Sequence, residues 1–170
     1  RAGDGSTRYQ MLETIREYAL ERLHAMEEDQ VAQQGHARYY LALAERADLL
    51  GGGQNEWLDR LSAEHANLGA ALTWCGVHYE GEMGLRLSIA LMPYWQLRDH
   101  RFEARDWLES FMAIAQQVPR SVRAYGLMWQ GILLMRVTGE IALPSRLVNE
   151  SLALFREDRD VKGASEALQA

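Results

Sequence analysis

Cysteine, proline and lysine are scarce in this chain of 170 residues, with one Cys, three Pro and one Lys. The lone Cys75 has no partner for an internal disulfide and leaves no basis for a cysteine-rich zinc site, a usage that suits a reducing cytoplasm. Pro93, Pro119 and Pro144 leave the first 92 residues free of the strongest helix breaker. Val, Ile and Thr are sparse beside abundant Ala, Leu, Glu, Arg and Gln, which disfavours a β architecture. No apolar run approaches the roughly 20 residues that span a bilayer, since the longest, residues 85–95, is broken by Arg86, Ser88 and Pro93. No secretory segment is visible. Positive charge is short as well. With 18 basic against 24 acidic side chains the net charge is −6, so no global field draws in a polyanion and nucleic acid is disfavoured as a direct ligand.

What is present is a globular composition, 48% apolar and 25% charged, in a length that suits one domain or a few stacked repeats. Residues 1–7 are polar and glycine-rich and read as a loop or a cut end. From Leu12 the positions Leu12, Ile15, Ala19, Leu23 and Met26 recur three and four apart, one face of a helix. Glu13, Glu17 and Glu21 take the solvated face. A second helix is expected over residues 31–50, stopped by a left-handed residue in Gly51-Gly52-Gly53. Helical pattern resumes at Gln54 as one bent helix or two and ends near residues 76–81. Four more helices are expected over residues 82–97, 101–117, 121–137 and 142–157, with another starting at Asp160. Their short connections predict antiparallel hairpins.

Two of these hairpins overlay at an offset of 40 residues, placing Asp99 on Gly139, Trp107 on Leu147 and Ile114 on Leu154. The pattern predicts an all-α fold, an α-solenoid with degenerate repeats. In the overlay Met92 faces Ala104 and Ile132 faces Pro144, where small residues would allow close approach, so splayed helix pairs are expected. Pro144 fits the first turn of its helix, where its missing N–H costs no bond. Pro93, inside its helix, should kink it.

The string R-Y-Q-M-L-E-T-I-R-E-Y-A-L-E-R-L at residues 8–23 resembles a segment of large bacterial regulators of the STAND ATPase class, including LuxR-type and AfsR-like transcriptional regulators. Gln54-Asn55-Glu56-Trp57-Leu58, Glu64-His65-Ala66-Asn67-Leu68 and residues 139–156 are also similar to that class. The resemblance implies that residues 1–11 are a loop and the remnant of an upstream winged-helix region, with a last wing strand near residues 8–11. Residues 12–170 would then be a right-handed solenoid of tetratricopeptide-like hairpins. It further implies a non-enzymatic interaction or sensor module that relays a partner or effector to an ATPase switch in the parent chain. The expected partners are a protein or peptide, or a small-molecule effector, together with the upstream ATPase and winged-helix domains. Under the overlay, Arg86, Gln96, Trp129 and Arg136 fall where such arrays line their concave groove, and Trp and Arg are good anchors for a peptide. A structural spacer that self-associates into a homo-oligomer is the alternative of another class.

Chemistry-bearing motifs are missing. The phosphate-cradling G-x-x-x-x-G-K-[ST] does not occur, and Lys162 stands in another context, so ATP hydrolysis by this chain is not expected. A complete helix-turn-helix with a basic recognition helix is not visible. Cys75 and His78 have the spacing of half a zinc site, but no second pair follows His65 or the other histidines, and neither metal nor cofactor is expected. No G-x-S-x-G elbow is present, and Cys75 reads as a small core side chain.

Overall fold

The computed structural model describes residues 29–139 and 141–169 together with Leu12, Ile15 and Tyr18. Among these residues all regular structure is helical, in eight helices: α1 (Asp29–Glu45), α2 (Gln54–Ala63), α3 (His65–Val77), α4 (Gly81–Leu97), α5 (Arg101–Ile114), α6 (Arg120–Thr138), α7 (Ala142–Glu157) and α8 (Val161–Gln169). The wing remnant expected over residues 1–11 and most of the helix expected from Leu12 lie outside the described residues, although Ile15 and Tyr18 are helical. The chain divides into two compact units, Arg1–Gly35 and His36–Ala170. In the first, Leu12, Ile15 and Tyr18 are exposed. The second holds the core and the groove described below.

From α2 onward each helix packs on its successor, and α3 also packs on α5 and α4 on α6. The central position of α4 follows from its sequence. Leu85, Leu87, Leu91, Met92, Tyr94 and Trp95 occupy more than one face and are all buried. A helix this apolar needs neighbours on several sides, and α3, α5 and α6 supply them. Each such side chain removed from water contributes about 1.5–3 kcal/mol, which outweighs the weak propensity of the two glycines in its first turn. One large apolar cluster joins α1 to α5 and reaches Leu133 of α6, while a second joins α6, α7 and α8 around Phe155. Trp129 packs against both.

The turns share one device. Tyr79, Asp99, Gly139 and Arg159 all adopt left-handed backbone, at φ 56°, 61°, 72° and 57°. Their positions are 20, 40 and 20 residues apart. At Tyr79, Asp99 and Arg159 the same pair of bonds closes the helix. The next residue's N–H donates to the carbonyl five positions back (Glu80 to Cys75, His100 to Trp95, Asp160 to Phe155), and the left-handed residue's N–H donates to the carbonyl three back. The missing member of the series is position 119, where Pro119 has φ −51° and cannot turn left-handed.

Three expectations need correction. The second helix stops at Glu45, before the glycine triplet, and none of the three glycines has positive φ. After α1 the chain instead folds back to bury Leu49, whose carbonyl accepts from Gln54 Nε2 at 2.7 Å, and Gly53 becomes the N-cap of α2. The stretch from Gln54 is two helices, with Glu64 between them. The pair α6 and α7 is not held apart by Ile132. Its neighbour Gly131 takes the contact, so close that an added Cβ would lie 2.9 Å from both the Pro144 carbonyl and Val148. Pro144 sits in the first turn of α7 as expected, and the first bond there runs from Ser145 N–H to Ile141. The α-helix runs continuously through Pro93.

Arg159 is exposed and carries a side chain in a conformation that costs an L-residue roughly 1–2 kcal/mol, so Arg159→Gly is expected to stabilise the chain by about 0.5–1 kcal/mol. Gly131→Ala is expected to destabilise it by about 1–3 kcal/mol through forced separation of α6 and α7. Urea denaturation midpoints check both, and a neutral Gly131→Ala would place the close approach elsewhere.

Candidate functional site: a groove across alternate helices

Helix periodicity builds the site. On α4, Arg86, Ile89, Ala90, Pro93 and Gln96 follow at steps of three and four, one continuous stripe. On α6, Val122, Tyr125, Trp129, Ile132 and Arg136 do the same. These stripes, with the end of α1 and one face of α8, line a groove of about 680 Å³. The helices that form it alternate with α5 and α7, which do not border it. Lining positions recur at the interval of the turns: Ile89, Trp129 and Gln169 are 40 apart, as are Gln96 and Arg136, and Val122 and Lys162.

The floor is apolar and the charges are mostly paired. Arg86 donates from Nε (2.9 Å) and Nη2 (2.6 Å) to one carboxylate oxygen of Glu45, and Glu82 lies 3.8 Å from its Nη1. Glu45 is the last residue of α1, where the helix dipole disfavours an anion, and Arg86 offsets that placement. With the two side chains 41% and 38% exposed, solvent screening keeps the pair below about 1 kcal/mol. Lys162 lies 3.8 Å from Glu166 one turn along α8. Glu166 also faces the Tyr125 hydroxyl, which burial first and then the carboxylates of Glu166 and Asp160 push up to about 12. Arg136 is exposed and has no ion-pair partner among the described residues.

Pro93 adds a polar feature to the floor. It has no N–H to give the carbonyl of Ile89, so that oxygen lacks its helical donor, and both residues border the groove.

All four residues singled out by the overlay border this one groove: Arg86 and Gln96 on α4, Trp129 and Arg136 on α6. Sequence reasoning missed Tyr125, Glu45, Lys162 and Glu166. Tyr125 could have been found by extending the Trp129 stripe back one turn. The pairing of Glu45 with Arg86, 41 residues apart, depends on how α1 meets α4 and has no local signal. Trp129 is half-buried and belongs to the core as well as the groove.

Elsewhere the titratable groups serve packing. Cys75 is fully buried, and burial pushes its thiol up to about 11, away from thiolate chemistry. His78 Nδ1 donates to the Trp74 carbonyl at 2.9 Å and its ring stacks on Trp74. His65 and His100 stack with centroids 5.1 Å apart beside Glu103. Burial lowers His36 against the opposing pull of Glu64. Tyr40 donates to Glu64 at 2.8 Å, and burial first, then that carboxylate, raises it to about 12. Among the described residues no group of three His, Cys, Asp or Glu side chains could hold a metal ion, and no helix is long and apolar enough to cross a membrane.

Over 109 residues the chain is 36% identical to proteins of Mycobacterium bovis and of two strains of Mycobacterium tuberculosis that carry the description HTH-type transcriptional regulator. The match covers 64% of this chain and 12% of each relative, so the chain spans about an eighth of their length. No protein-family model matches the chain. No solved structure matches it either.

Two outcomes follow from the geometry. Trp129→Ala should cost about 2–4 kcal/mol, because the ring supports both apolar clusters, whereas Arg136→Ala should stay within about 0.5 kcal/mol. Chemical denaturation separates them, and equal effects would contradict the placement of Trp129. Tyr40 and Tyr125 have folded-state values above the ordinary ~10, so they stabilise the fold fully below about pH 10 and lose that contribution as pH rises through about 12. Tyrosinate absorbance should show two late-ionising groups, one of them removed by Tyr125→Phe; early ionisation of all tyrosines would refute this.

Proposed function

We propose that this chain is a helical-repeat interaction and sensing module of a bacterial transcriptional regulator, with no enzymatic activity and no cofactor of its own. The observation that carries this reading is the groove, floored by alternate helices whose lining positions recur every 40 residues. Such recurrence is what a solenoid of degenerate tetratricopeptide-like hairpins produces on its concave side. The similarity to HTH-type regulators supports the regulatory context, and because the chain spans 12% of their length, DNA binding and any ATPase switch are assigned to other parts of a parent chain. Occupation of the groove would alter the stacking angle of α4, α6 and α8 and so reposition what adjoins them in a cytoplasmic regulator.

A second reading, a small-molecule effector site, is favoured by the volume of about 680 Å³ and by Tyr125, Met128 and Trp129 on its wall, both typical of ligand pockets. Melting temperature measured at two protein concentrations against a panel of metabolites, nucleotides and peptides tests the proposal. A saturable rise that is abolished by Ala90→Gln, which fills the groove without adding charge, is expected. A rise unaffected by that substitution would move the site elsewhere. Stability that depends only on protein concentration would make the chain a self-associating scaffold.

A further inference from the structure

The charges in the groove define what it accepts. Three cations (Arg86, Arg136, Lys162) face two carboxylates (Glu45, Glu166), leaving a balance of +1 on a chain whose total is −6. Both carboxylates are engaged, Glu45 by Arg86 and Glu166 by Lys162, so the uncompensated charge is at Arg136. Seven residues separate Arg136 from the half-buried Trp129 on the same stripe, about 10 Å along the axis of α6. An extended peptide covers that distance in about three residues. A bound helix would need about seven and would keep its own N–H groups paired, whereas an extended strand brings free donors to the Ile89 carbonyl that Pro93 leaves without a helical donor.

We propose that the groove takes an extended peptide segment with a carboxylate side chain three residues from an apolar one, the carboxylate meeting Arg136 and the apolar group resting on Trp129. This deepens the interaction reading above and rests on it. Paired internally, Arg86 holds α1 to α4 and stays out of recognition, while Gln96, exposed on the neighbouring stripe, offers donor and acceptor to the peptide backbone beside the acid. A basic peptide would meet Arg136 with no free carboxylate to compensate it, so discrimination by charge is built in.

The test uses the 170-residue chain and fluorescein-labelled heptapeptides read by anisotropy. The first is Ser-Ala-Leu-Ser-Ala-Glu-Ser; the others replace Glu by Lys, or move Glu next to Leu. The first peptide is expected to bind about tenfold more tightly than either of the others, and Arg136→Glu, a surface change, should reverse the preference between Glu and Lys. Equal affinity for the three peptides, or a preference that survives Arg136→Glu, overturns the acid assignment. If binding then remains sensitive to Ala90→Gln, the groove reading stands alone; if it is insensitive, both fall. Absence of binding by every peptide at about 1 mM overturns the peptide assignment. Sedimentation showing a dimer that Ala90→Gln abolishes assigns the groove to a second copy and overturns it as well.

Discussion

The left-handed residue that closes a helix is the constraint on which this architecture turns. Each such closure reverses the chain within three residues, and its recurrence at positions 79, 99, 139 and 159 sets the length of every helix between. Equal intervals mean that each returning helix presents nearly the same face as the one two before it. The groove is the result, because α4 and α6 bring Ile89 and Trp129, and Gln96 and Arg136, to matching places. Three of the four turn residues have side chains, so the backbone conformation is imposed there by helix packing on either side and not by the intrinsic freedom of glycine.

Packing energetics then separates what is fixed from what is free. The stripes of α4 that face α3 and α5 are filled by Leu, Tyr and Trp, while the stripe toward the groove carries Arg86, Ala90, Pro93 and Gln96. Such a division leaves one side of the array without a structural partner of its own. Paired charges on that side hold neighbouring helices in register at little energetic cost or gain, and the apolar floor between them supplies what area a visiting chain can cover.

Much of this was legible in the sequence. The limits of α7 follow from the pattern, α6 and α4 within a residue, and Pro144 falls where a helix tolerates it. The 40-residue offset brought Arg86, Gln96, Trp129 and Arg136 together in one groove because periodicity alone decides which face of a helix a residue occupies. Other features depend on tertiary contact. The glycine triplet carries the strongest local stop signal in the chain, yet the helix ends six residues earlier because burying Leu49 redirects the backbone. Close approach at Gly131, one place from Ile132, follows from the rotation of α6 about its axis, which one hairpin's sequence does not specify. The Glu45 to Arg86 pair links segments whose meeting is decided by the whole fold.

Trp129 gives the array a further property. Because its ring is shared by the two apolar clusters, the cooperativity of unfolding between α1–α5 and α6–α8 passes through a side chain that solvent can also reach. Sub-global opening of the last three helices would separate the clusters at that ring. A molecule resting on its outer edge would therefore raise the free energy of that opening without touching α7 or α8, turning occupancy into a change of local stability at a distance.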